Sequence, residues 1–181
     1  MTRYEQLQES QKKSKIIYHD YKEMCAVFLK DFFEYLIEYA DIPTKKLLIV
    51  KNEDKDNYVD YTFELSSIEL LMKLEEDGYW HIVVKIILYN NVDPDIIQFP
   101  QPAISLSLSF KKENDTYKMK LKQDNESFDV QENDAEIYKK FYDYILNRIT
   151  YYYENSFMDF INKNISQSKY GFSTEQNIER W

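Results

Sequence analysis

Glycine and proline are scarce, at 2 and 4 in 181 residues. A chain with so few residues that break helices and strands spends little of its length in turns, so long elements and few loops follow. There is one cysteine, Cys25, which excludes an intramolecular disulfide. It falls inside an apolar helical pattern, where a small buried thiol is the ordinary role. His19 and His81 are the only histidines, and neither has a second metal-type residue at supporting spacing. No glycine-rich phosphate loop, nucleophile elbow or zinc spacing is present, so no cofactor or metal is expected. No apolar run approaches the roughly 18 residues of a membrane span, and residues 2–15 hold no apolar signal core. Together with the lone thiol, this points to a reducing cytoplasm and no membrane partner.

What is present is charge and aromatic mass. The formal net charge is −9 and the pI about 4.8, which disfavours nucleic acid and anionic membrane surfaces as partners. Tyrosine (17) and phenylalanine (11) are abundant, enough for one sizeable core in 22.0 kDa. Enrichment in Lys, Asn, Ile and Tyr fits an AT-rich coding genome, such as that of a low-GC bacterium, its phages or its mobile elements.

Periodicity then divides the chain. Residues 2–15 are polar and read as a frayed turn or tail. From Ile16, a stripe of Ile17, Tyr21, Met24, Phe28, Phe32, Tyr35 and Tyr39 recurs at steps of three and four, widened by Cys25, Leu29, Phe33, Leu36 and Ala40. Asp41-Ile42-Pro43 ends this helix. Leu47 to Val50 is a short strand and Asn52 to Asn57 a charged loop. Tyr58 to Leu65 alternates as a strand should. Residues 66–75 fit either state. Ser66 with Glu69 suits a capping box, whereas Ile68, Leu70, Met72 and Leu74 alternate; we read strand, with a bulge near Ser66. Asp77-Gly78 marks a hairpin. Tyr79 to Tyr89 is the most apolar strand, suited to the centre of a sheet. Asn90 to Pro102 is a long loop with apolar contents, Ile96, Ile97 and Phe99, that either tucks over the sheet or meets a partner. Ala103 to Phe110 alternates leucine and isoleucine with serine. A turn at Glu113 to Thr116, a strand carrying Tyr117, Met119 and Leu121, and a short strand at Phe128 to Val130 follow. Asn133 with Glu136 opens a last helix, about Asp134 to Lys163, with the stripe Ile137, Tyr138, Phe141, Ile145, Ile149, Tyr152 and Phe160.

The expected fold is α+β: an antiparallel sheet of five to seven strands, with a long N-terminal and a long C-terminal helix packed on one face. Residues 1–164 form one domain. Residues 165–181, with Tyr170, Phe172, Ile178 and Trp181, form a tail that is partly ordered or holds a short helix capped by Ser173 and Gln176.

Three features bear on function. Lys111, Lys112, Lys118, Lys120 and Lys122 cluster in one hairpin, either guarding an outer strand against unwanted pairing or making an electrostatic contact. Tyr151, Tyr152 and Tyr153 span about 200° of a helix, so at least one ring points away from the core. Carboxylates one turn apart, such as Glu34 and Glu38, and Asp20 and Glu23 near His19, suit a solvated face. These features favour a non-enzymatic protein-binding module, an adaptor, inhibitor or accessory factor. Its partner is another protein or a second copy of itself, through Ile96, Ile97, Phe99, Tyr151, Tyr152, Tyr153 and Trp181. The alternatives are a binder of a small apolar ligand held between sheet and helices, lined by Phe32, Tyr61, Phe63 and Phe141, and an enzyme with a dispersed site.

Overall fold

The structure is a computed structural model that describes residues 1–54, 57–88, 103–122, 126–132, 134–161 and 172–173. It is an α+β fold. A long helix, α1 (Arg3–Tyr39), leads through a 3-10 turn into strands β1 (Leu47–Asp54) and β2 (Asn57–Thr62). A short helix α2 (Leu65–Leu71) and strands β3 (Lys73–Leu74), β4 (Trp80–Ile87), β5 (Ala103–Glu113), β6 (Thr116–Leu121) and β7 (Phe128–Gln131) follow. Helix α3 (Ala135–Ile161) and a two-residue strand β8 (Phe172–Ser173) complete the order.

Six strands make one antiparallel path, β2-β1-β4-β5-β6-β7. One edge of β4 is shared by β1 and β3, and one edge of β5 by β6 and β8. The core lies on a single face, and alternation puts it there. Leu47 and Ile49, Trp80 to Ile86 in steps of two, Ile104 to Phe110 in steps of two, then Tyr117, Met119, Leu121 and Val130 all join one buried cluster with α1 and α3. The helices meet over it through aromatic rings. Phe32 is fully buried, with ring centroids 5.6 Å from Phe141, 5.5 Å from Tyr138 and 4.9 Å from Tyr142. The Tyr142 hydroxyl donates to the Phe32 carbonyl at 2.5 Å. Phe28 stacks on Tyr117 of β6, at 3.5 Å between centroids. Phe32 and Phe141 thus fill the seam between helices with their own rings, and Phe63 packs edge-on against Phe33.

Turn chemistry follows the side chains. Gly78 takes φ +75 in the hairpin before β4, and Asn114 takes φ 55 in the turn between β5 and β6. Asp41, also at φ 55, ends α1 just before Pro43.

Three expectations are corrected. Residues 65–71 are helix, not strand. Ile68, Leu71 and Met72 are buried at helical spacing, while Leu70, inward on the strand reading, is 67% exposed. The chain must cross from β2 past β1 to reach β4, and a helix packed on α1 makes that crossing. Residues 3–15 are helical, because Thr2 and Glu5 form a capping box, with bonds of 2.6 and 3.2 Å, ahead of good helix formers. Most of the presumed loop Asn52 to Asn57 is paired strand, with Asn52 opposite Tyr58 and Asp54 opposite Asn57. Helix α3 is opened by Asp134, whose carboxylate accepts the amides of Glu136 and Ile137 at 3.2 Å each; Asn133, expected to pair with Glu136 there, lies outside the described residues.

Candidate functional site

The first half of α1 is the most unusual surface. Every residue from Met1 to Asp20 is exposed, and α1 enters the core only from Tyr21. Ile17, placed by its spacing in the buried stripe, is 68% exposed, and Tyr4, Leu7 and Ile16 are exposed as well. The heptad-like steps of the buried half (Phe32, Phe28, Cys25, Tyr21) continue outward through Tyr18, Ser14, Gln11, Leu7 and Tyr4. Tyr18 still reaches Trp80 at 5.8 Å between rings; beyond it the stripe has no described element to cover it. Local bonds hold the rod: the capping box, Ser10 donating to the Gln6 carbonyl at 2.9 Å, and a Glu9–Lys13 pair at 4.0 Å.

Where this rod meets the domain there is a groove of about 410 Å³. Its floor is Met24, Val27 and Phe28 of α1 with Tyr138 of α3, and its rim is Asp20, Glu23, Asp31 and Glu132. Lys112 reaches it from β5, with its ammonium 3.2 Å from Met24 sulfur and 3.9 Å from Glu132. Asp20, Glu23 and Asp31 make no ion pair among the described residues. The groove is apolar below and negative above. Asp20 and Glu23 stood out in the sequence only as a solvated face. Glu132 is distant in sequence, so only the folded register brings it to α1.

A second cluster lies on the opposite face of the sheet. Ser109 and His81 are cross-strand partners, and Asp77 is in the turn before β4. Nε2 of His81 is 3.0 Å from Asp77 Oδ1, which leaves Nδ1 to accept the Ser109 hydroxyl at 3.0 Å. The order hydroxyl, imidazole, carboxylate is that of a nucleophilic triad. Ser109, however, has no exposed surface for a substrate to reach. The three groups pin the Asp77 turn to the sheet, and the bond to His81, with the Tyr79 amide second, holds the Asp77 carboxyl below its usual range. Two serines of that face, Ser105 and Ser109, are buried.

The lysine hairpin is dispersed by the fold. Strand β6 lies between β5 and β7, so its lysines do not guard an edge. Lys111 and Lys120 sit over the Tyr79 ring, at 4.8 and 4.3 Å, and Lys111 also pairs with Glu113. Lys122 meets Glu75 at 3.3 Å. Lys118 lies between Lys111 and Asp129 across the strands. Lys112 points the other way, onto the Tyr117 ring at 5.3 Å. Of the tyrosine triplet, Tyr151 is 50% exposed; Tyr152 and Tyr153 are half-buried, edge to face at 5.2 Å. Burial, then the neighbouring Tyr152, pushes the Tyr153 phenol up to about 12. Ile96, Ile97, Phe99 and Trp181 lie outside the described residues, as does Gln176; Ser173, its expected capping partner, is in β8 beside Ser105.

Among the described residues no three His, Cys, Asp or Glu side chains are grouped to hold a metal ion, and no helix is long and apolar enough to cross a membrane. Compared with known proteins, the chain matches no family model, no curated protein and no solved structure.

Proposed function

We propose that this chain is a non-enzymatic protein-binding module of the cytoplasm, an adaptor, inhibitor or accessory factor whose binding element is the exposed half of α1. One observation carries the reading. Tyr4, Leu7, Ile16 and Ile17 stand exposed on a helical rod that, outward of Tyr18, packs on no described part of its own chain. A helix of that length is marginal alone in water, and it carries Ile16 and Ile17 side by side in the exposed class. Tyr151 on α3 is a second contact of the same kind. The partner is a protein, either a different chain or a second copy. The net charge of −9 and the pairing of the hairpin lysines with rings and carboxylates argue against nucleic acid.

A photo-cross-linking residue at Leu7, with one at the exposed turn residue Asp115 as control, tests this in the native host. Adducts with a protein at position 7 and none at 115 are expected. No adduct at position 7, with the purified chain a monodisperse monomer, overturns the reading.

A further inference from the structure

We infer that the groove beside α1 receives a cationic amphipathic helix from a different protein. This rests on the protein-binding reading and names the partner's chemistry. The groove is the middle of a longer apolar stripe. Ile17, Met24, Phe28 and Tyr35 recur along α1 at steps of seven, four and seven, so they share one face. Met24 and Phe28 floor the groove, with Val27 beside them. Ile17 continues it at one end, 68% exposed. Tyr35 continues it at the other, 46% exposed, with its ring 5.6 Å from that of Tyr138. At 1.5 Å per residue the stripe from Ile17 to Tyr35 is about 27 Å long, the length of a helix of about 18 residues. The apolar face of such a helix, laid along α1, covers the whole stripe. A small organic cation would fill the groove and leave both ends bare.

Charge selects the occupant. Asp20, Glu23 and Asp31 stand exposed on the groove's rim and make no ion pair among the described residues. Lys30, next to Asp31 in sequence, is engaged with Glu34 at 2.6 Å, and Lys112 lies 3.9 Å from Glu132. The three rim carboxylates are thus left as the groove's surplus charge, in a chain of net charge −9. Lysines and arginines flanking an apolar face meet those carboxylates, so the rim steers a basic helix in and turns an acidic one away. It also turns away a second copy of this same face, whose own carboxylates would stand against these.

Binding of a synthetic peptide to the full chain tests it. The probe is a helix of about 18 residues made of leucine and lysine, with the leucines on one face. Its fluorescence anisotropy is followed at about 0.15 M salt, where long-range charge is screened. The chain binds it with a Kd at or below about 10 μM. A glutamate-for-lysine probe does not bind, and a probe of scrambled order binds at least about tenfold more weakly. Glu23→Lys with Asp31→Lys weakens binding at least about tenfold. Glu64→Lys with Glu76→Lys makes the same change in net charge at exposed positions that do not line the groove, and weakens it less than about threefold. Val27→Ser with Tyr35→Ser leaves the charge unchanged and weakens it at least about fivefold. Circular dichroism verifies that each variant is folded. A probe that fails to bind at about 100 μM overturns the inference. Equal losses in the two charge-reversed pairs, or an unchanged affinity in the serine pair, also overturn it, since net charge alone would then be the attraction. A dimer of the intact chain that reversal at 23 and 31 disrupts puts a second copy in the groove and overturns it as well. A chain that binds no probe yet cross-links a protein at position 7 loses the groove and keeps the protein-binding reading; one that does neither loses both.

Discussion

Replacing Phe32 with alanine removes the ring on which both long helices converge. Phe32 has no exposed surface and touches five other rings: Phe28, Phe33, Tyr138, Phe141 and Tyr142. Three of those belong to α3, so the cavity spans two helices and cannot close by one side chain relaxing. Deletions of this kind lose about 3–5 kcal/mol, and the number of rigid neighbours places this one at the upper end. In a chain of this size that lowers the melting temperature by about 6–20 °C. Urea unfolding followed at 222 nm reads it directly, as a lower midpoint with an unchanged slope. Tyr142→Phe is the companion variant. It keeps the ring and loses only the bond to the Phe32 carbonyl, for about 0.5–1.5 kcal/mol. A Phe32→Ala loss below about 1 kcal/mol would refute the shared seam.

Three further outcomes follow from particular side chains. Leu71→Ala loses about 2–5 kcal/mol and Leu70→Ala less than about 0.5, because one is buried under α2 and the other is 67% exposed; the reverse ranking in urea unfolding would restore a strand at residues 66–74. The Asp77 carboxyl is held low by His81, so its contribution to stability is present above the unfolded value near about 4 and is lost as pH falls through the folded value. Asp77→Asn therefore flattens the acid limb of the melting curve below about pH 4, and an unchanged limb contradicts the pinning of the turn. Burial raises the Cys25 thiol to about 11, so it reacts with a disulfide reagent at pH 8 at least about a hundredfold more slowly in the native chain than after unfolding; equal rates would place it at the surface.

The sheet was legible because its side chains alternate without interruption. Ile104, Leu106, Leu108 and Phe110 leave β5 one possible inner face, and Asp77-Gly78 has one good use. The middle of α1 was legible for the same reason at the helical period. Residues 66–74 were not, since Ile68 and Met72 satisfy both periods and only Leu70 and Leu71 separate them. The arm was misread from its polarity, although Thr2 with Glu5 is a helix-start signal visible in the sequence. Ile17 was placed inside because its spacing fits the stripe. Spacing says which face a residue shares, and nothing about where along the rod the sheet stops supporting it. The groove was invisible, since Glu132 joins Asp20 and Glu23 only through the β7 register and the start of α3. His81 and Ser109 met for the same reason, as cross-strand partners 28 residues apart.

Amide hydrogen exchange along α1 tests the central claim, a single helix with one half in the core and the other held out for a partner. In dilute solution, the amides of Cys25 to Leu36 exchange only on global unfolding, while those of Glu5 to Tyr18 exchange close to the rate of a fraying helix. Equal protection along the whole helix would mean that its outer half is covered by its own chain, and the account would fail.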